Sequence, residues 1–162
     1  MSERDRTYHW SDPSPTIAAA RSLAGIDFLH AMLDGTLPQC SYQQTMDYNL
    51  VEVEAGRVVF AGKAADYMLN PLGGVHGGYY AGMLDSAMGC AIHSRLAAGQ
   101  TYTTLEFKLN MVRAIPTDGR MIRAIGQVLH PGRKIATSEA RLEDDGGKLY
   151  AHATCSCMIF SA

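Results

Sequence analysis

Between Gly77 and Ala98 the chain runs GGYYAGMLDSAMGCAIHSRLAA, rich in Ala, Met and Leu, free of Pro, and stopped by Gly99. This predicts one long helix. Four strand-like runs follow it: Tyr102–Ala114, Gly119–His130, Lys134–Glu143 and Lys148–Phe160. They are separated by Pro116-Thr-Asp-Gly119, Pro131-Gly132 and Asp144-Asp-Gly-Gly147, breaks short enough to require antiparallel neighbours. Upstream, Thr45–Glu54 and Arg57–Ala64 flank Ala55-Gly56 as a hairpin. Pro15 to Leu33 places Ile17, Leu23, Phe28, Leu29, Met32 and Leu33 at helical spacing, so a first helix is expected over about 15–34. Residues 1–14 read as a flexible N-terminus.

Six strands and one long apolar helix predict an α+β chain in which an antiparallel sheet wraps around that helix. The other face of the sheet then lacks a partner within the chain, which points to self-association. With 162 residues there is room for one domain with a real core, over 15–162, and not for two.

Composition removes several classes of function. The formal net charge is −2, so no global field favours nucleic acid or an anionic membrane. No uninterrupted apolar run reaches the ~20 residues that span a bilayer, and the polar start lacks a signal-peptide core. Cysteines at 40, 90, 155 and 157 show neither CxxC nor metal-ligand spacing. Cys155 and Cys157 lie two apart in a strand and read as core thiols, in a reduced, cytoplasmic setting. His93, His130 and His152 read as surface or core polar residues, and no metal site is expected.

One acid interrupts the helix. Asp85 is far from either end, where an acid would cap backbone amides. Its neighbours three and four residues away are Ala81, Gly82, Met88 and Gly89, so no basic partner lies on the same helix. Such a carboxylate is either solvated on an outer face or held in an apolar site for chemistry. Just upstream runs Asn70-Pro-Leu-Gly-Gly-Val-His-Gly-Gly78, which places Asn six residues before His76 and Asp85 nine after it.

Asn70, His76-Gly77-Gly78, Asp85 and the following Thr103-Thr104-Leu105-Glu106-Phe107-Lys108 together resemble the acyl-CoA thioesterases of the hotdog superfamily, of the phenylacetate-degradation type. The resemblance covers about Tyr42 to Phe160. It implies the hotdog fold and hydrolysis of an acyl-CoA, aromatic or medium-chain, to free acid and coenzyme A, with no cofactor beyond the coenzyme A of the substrate. It also implies a catalytic Asp on the helix (Asp85), an Asn and a His near the thioester (Asn70, His76), and a hydroxyl residue on the next strand. The last is Thr104, with Thr103 as the alternative. Rival readings are a hotdog acyl-CoA hydratase or dehydratase, whose HFPG-like or D-x-N-x-x-H patterns are missing here, and a non-catalytic acyl-CoA-binding module.

Helix geometry adds a constraint. Gly77 and Asp85 stand ~12 Å apart along one helix, whereas catalytic contacts to one carbonyl fall within ~2.6–3.2 Å. One helix cannot present the Gly77 amide and the Asp85 carboxylate to the same thioester; two antiparallel copies can. A homodimer with shared sites is therefore expected, extending to a homotetramer. Gly77 and Gly78 lack the Cβ atoms that would hold a carbonyl away from the first-turn amides. Asp85 is expected to attack as nucleophile or to activate water. Arg113 and the turn residues Arg133 and Lys134 are candidates for the nucleotide phosphates. Tyr79, Tyr80, Leu72 and Met68 are candidates for the acyl pocket.

Overall fold

The computed structural model describes residues 3–161. Met1, Ser2 and Ala162, at the outer ends of the expected N-terminal segment and core domain, lie outside them. Helices α1 (Ser14–Ser22), α2 (Gly25–Leu33) and α3 (Ser41–Met46) come first, then strands β1 (Tyr48–Glu54) and β2 (Arg57–Gly62). After a single turn at Asp66–Met68 come α4 (Gly77–His93), β3 (Gln100–Met111), β4 (Ile122–His130), β5 (Ile135–Asp144) and β6 (Leu149–Ser161). The six strands form one sheet in the order β1-β2-β4-β5-β6-β3, with every pairing antiparallel. This is the α+β hotdog arrangement that the sequence predicts.

Small residues let α4 sit close on the sheet. Ala124 on β4, Ala136 and Ala140 on β5, and Ala151 and Ala153 on β6 are buried beneath it. Closest is Gly126, where an added Cβ would stand 2.2 Å from the Ala87 carbonyl oxygen. Ser138 Oγ donates to the Met88 carbonyl at 3.0 Å and ties the helix to β5. Met83, Leu84, Met88 and Ile92 are at most 1 % exposed, so each contributes about 2 kcal/mol of burial. Cys155 and Cys157 are free thiols in this core, as their spacing predicts.

Several boundaries differ from expectation: β2, β3 and β4 are each two or three residues shorter at one end, and four others shift as follows. The first helix is two. It breaks at Leu23-Ala24, and Gly25 opens α2 pressed so close to α4 that an added Cβ would stand 1.7 Å from the His93 carbonyl oxygen. The expected start of the first strand, from Thr45, is instead the end of α3, closed by Asp47 at φ 53°; β1 begins at Tyr48. Helix α4 stops at His93 rather than Ala98. Ser94 Oγ donates back to Ala91 and accepts the Gly56 amide, both at 2.7 Å, anchoring the helix end to the β1–β2 turn. Strand β3 starts two residues earlier than expected, at Gln100.

The uncovered face of the sheet, which has no partner within the chain, is mixed in character. Glu139, Arg141, His152 and Thr154 are exposed there, as on an antiparallel sheet wet on one side. Exposed apolar side chains lie on the same face at Ile135, Met158 and Phe160, and along the edge strand β3 and just after it at Leu105, Phe107, Met111 and Val112. In the N-terminal segment, Arg6 donates to the Thr45 carbonyl at 2.9 Å, pairs with Asp47 and lies over the Tyr67 ring.

Candidate active site

The loop before α4 is built around Asn70. Its Oδ1 accepts the amides of Leu72 at 2.9 Å and Gly74 at 3.3 Å, while its own amide donates to the Gly74 carbonyl. A bridge between Leu69 and Val75 closes the turn, and buried Val75 anchors it to the core. Asn70 thus shapes the loop that delivers the helix start.

His76 is the N-cap of α4, and its Nδ1 accepts the Gly78 amide at 2.9 Å. An accepting Nδ1 carries no proton, so the neutral ring holds it on Nε2. The Gly78 amide is therefore spoken for, while the Gly77 amide has no partner among the described residues. On the Cα of Gly77 an added Cβ would meet only the end of a flexible side chain, Met111 Sδ at 3.3 Å. A free donor at the positive end of a helix suits a developing oxyanion.

Two turns further along α4, Thr104 Oγ1 donates to Asp85 Oδ1 at 3.0 Å. Of the two adjacent threonines, Thr104 is the one turned toward the acid; Thr103 is exposed. A register shift at Leu105 follows immediately in the β3–β6 pairing. Behind Thr104, the Cys157 thiol donates to its oxygen at 3.8 Å, which leaves the hydroxyl proton for the carboxylate. Asp85 is half-buried, and its second oxygen has no partner among the described residues.

Asp85 and Thr104 line a cavity of about 250 Å³. Its roof comes from the N-terminal helices and the segment after them, through Phe28, Met32, Cys40 and Gln43; Cys90, His93 and Tyr102 complete the walls. Of the eleven residues that line it, only Asp85 and Thr104 were singled out from the sequence as candidates for the site. The acyl-pocket candidates lie elsewhere. Tyr79 and Met68 line a separate cavity beside His76 and Gly78. The Tyr80 hydroxyl bonds to Arg113 and Ile115, and Leu72 is 95 % exposed on the loop.

The candidate cations do not converge within one subunit. Arg113 lies at the start of α4, where its carbonyl accepts from Tyr80 Oη at 3.1 Å. Arg133 lies beyond the other end, lining a cavity with Arg95, Leu96 and Gln100, and the neighbouring Lys134 carbonyl accepts the Ile159 amide. The helix between them is 17 residues, ~25 Å. Arg95 is a cation that the sequence reading passed over. Among the described residues no cluster of three His, Cys, Asp or Glu side chains is placed to hold a metal ion, and no helix is long and apolar enough to cross a membrane.

Comparison with known proteins places the chain in a family. The thioesterase superfamily matches residues 72–151, the stretch from the Asn70 loop into β6. A phenylacetic acid degradation-related protein of Ralstonia eutropha is 30 % identical, with a TM-score of 0.72 over 80 % of this chain and 98 % of that one. The Escherichia coli PaaI protein of the phenylacetic acid degradation operon shares 19 % identity, with a TM-score of 0.74 over 87 % of this chain and 98 % of that one. A Streptococcus mutans protein solved with acetyl CoA shares 23 % identity, with a TM-score of 0.65 over 71 % and 90 %. No curated protein matches. The chain belongs to the thioesterase superfamily.

Proposed function

We propose that the protein hydrolyses an acyl-CoA thioester to the free acid and coenzyme A, at sites shared between two subunits. The observation that carries this reading is the Thr104–Asp85 hydrogen bond at the cavity: it fixes one carboxylate oxygen and leaves the other facing open space. As base, Asp85 takes a proton from a water whose oxygen attacks the carbonyl carbon. As nucleophile, it attacks that carbon itself, and the resulting mixed anhydride is then hydrolysed by water. In both routes the C–S bond breaks and the thiolate leaves with a proton supplied by that water. The Gly77 amide of a second subunit polarises the carbonyl, since its own lies ~12 Å from Asp85. His76 positions that amide by occupying its neighbour, and Asn70 shapes the loop behind it.

Support for the dimer comes from β3. This twelve-residue edge strand leaves its outer hydrogen-bonding groups unpaired and exposes Leu105, Phe107 and Met111, a combination suited to pairing with another copy. Arg113 of one subunit and Arg133 with Lys134 of the other are the proposed phosphate contacts, with Gly78 and Thr103 at the margin of the thioester. A thiol-release screen across short, medium, long and aromatic acyl-CoAs tests the reading. Turnover of at least one class, lost in Asp85→Ala, is expected; absence of turnover across the panel with folded protein refutes it.

A further inference from the structure

The cavity that holds Asp85 ends in polar groups that hydrolysis does not use. Gln43 on α3 is 3 % exposed and His93, the last residue of α4, is 7 % exposed. Gln43 Oε1 accepts the Cys40 amide at 3.1 Å, which leaves Nε2 as its donor, and that nitrogen has no partner among the described residues. The His93 imidazole also makes no hydrogen bond there; it is packed between Phe28, at 5.1 Å between ring centroids, and Tyr102, at 5.5 Å. Among the described residues, Tyr79 Oη is the one side-chain polar atom both fully sealed and unpartnered. The unpaired nitrogens of Gln43 and His93 therefore retain access to space, and the space both line is this cavity.

We infer that this end of the cavity recognises a neutral hydroxyl carried on the acyl group, accepting from Gln43 Nε2 and donating to His93. The inference rests on the proposed placement of the thioester at Asp85. No Lys or Arg lines the cavity, and Asp85 stands within it, so a terminal carboxylate would find no counter-ion. Burial holds the His93 imidazole at about 4, below its ordinary value, so near neutral pH the ring is uncharged and can accept as well as donate. Length follows from the helix. His93 lies ~12 Å beyond Asp85 along α4. Subtracting a contact of ~3 Å at each end leaves roughly 6 Å for the acyl skeleton, which a chain of about six carbons spans.

Hexanoyl-CoA, 6-hydroxyhexanoyl-CoA and adipoyl-CoA differ only at that end. Calorimetric titration into the Asp85→Asn protein is expected to show the hydroxyl ester binding about tenfold tighter than the hexanoyl ester, and the carboxylate weaker than both. Adding His93→Phe or Gln43→Glu should bring the hydroxyl preference to near one. Gln43→Glu keeps an oxygen for the Cys40 amide, so α3 retains its cap while the cavity loses the donor. Equal binding of the first two esters, a preference that survives both substitutions, or no binding of any ester overturns the inference. Thiol release by the unsubstituted protein separates the two ideas: turnover without hydroxyl preference sinks only the pocket, and preference without turnover sinks only the hydrolase.

Discussion

Asp85 is a carboxylate with one oxygen held and one free, and the two substitutions that probe it should fail differently. Asp85→Asn keeps the shape and the Thr104 contact but removes the base or nucleophile, so kcat should fall by about three orders of magnitude while acyl-CoA binding survives. Thr104→Val removes only the bond that orients the acid and should cost about tenfold in kcat, with Thr104→Ser restoring most of it. Steady-state thiol release with folded variants measures both; full activity in Thr104→Val would mean that the 3.0 Å contact has no part in the reaction. Single turnover in heavy-oxygen water then probes the route: label in the Asp85 carboxylate establishes nucleophilic attack followed by water entry at the Asp85 carbonyl carbon, because base catalysis puts all the label in the released acid. At this scale the sequence named candidate residues more readily than their contacts. Spacing places Asn70 and His76 at the start of one helix and Asp85 two turns along it, but it carries no direction for a hydrogen bond. Only the folded loop shows Asn70 Oδ1 spent on backbone amides and His76 Nδ1 spent on Gly78.

At the scale of elements, two glycines that look alike in the sequence do opposite things. Gly126 is where α4 touches the sheet, and a side chain there meets backbone at 2.2 Å, which cannot give way. Gly126→Val should therefore cost about 3 kcal/mol or more of stability, read as a lower denaturant midpoint. At Gly77 an added Cβ meets only the end of Met111, at 3.3 Å, so Gly77→Val should fold with a near-normal midpoint yet lose thioester hydrolysis by covering the free amide. A Gly77→Val protein that is both stable and fully active would remove the oxyanion role. The legibility of elements follows the same division between local and tertiary causes. Helix α4 and the last four strands could be read because Pro116, Pro131-Gly132 and Gly146-Gly147 punctuate them locally. The break before Gly25 could not, since it answers to the approach of α2 to the His93 carbonyl, a contact between residues 68 apart in sequence. Nor could the roof of the Asp85 cavity, because α3 is a six-residue helix of SYQQTM with no apolar period to announce it.

For the whole molecule the decisive quantity is the length of a single helix. Eight residues of α4 separate Gly77 from Asp85, and at ~1.5 Å each they hold the two groups ~12 Å apart whatever the surroundings. No side-chain rearrangement brings both to one carbonyl, so the proposed chemistry requires a second chain whose α4 runs the other way. That requirement makes the assembly testable through function alone. One subunit carries Asp85→Ala and the other Gly77→Val, each variant inactive as a homodimer. In the mixed dimer one shared site collects both lesions, whereas the other joins an intact Gly77 to an intact Asp85. Coexpression with two different affinity tags, followed by sequential purification, isolates that species, and its thiol-release rate should approach half that of the unsubstituted dimer. A site contained within one subunit predicts no recovery, because every site would then carry a lesion. Purified, folded heterodimer without activity would therefore rule out the shared site, and a mainly monomeric protein with full turnover would do so more directly.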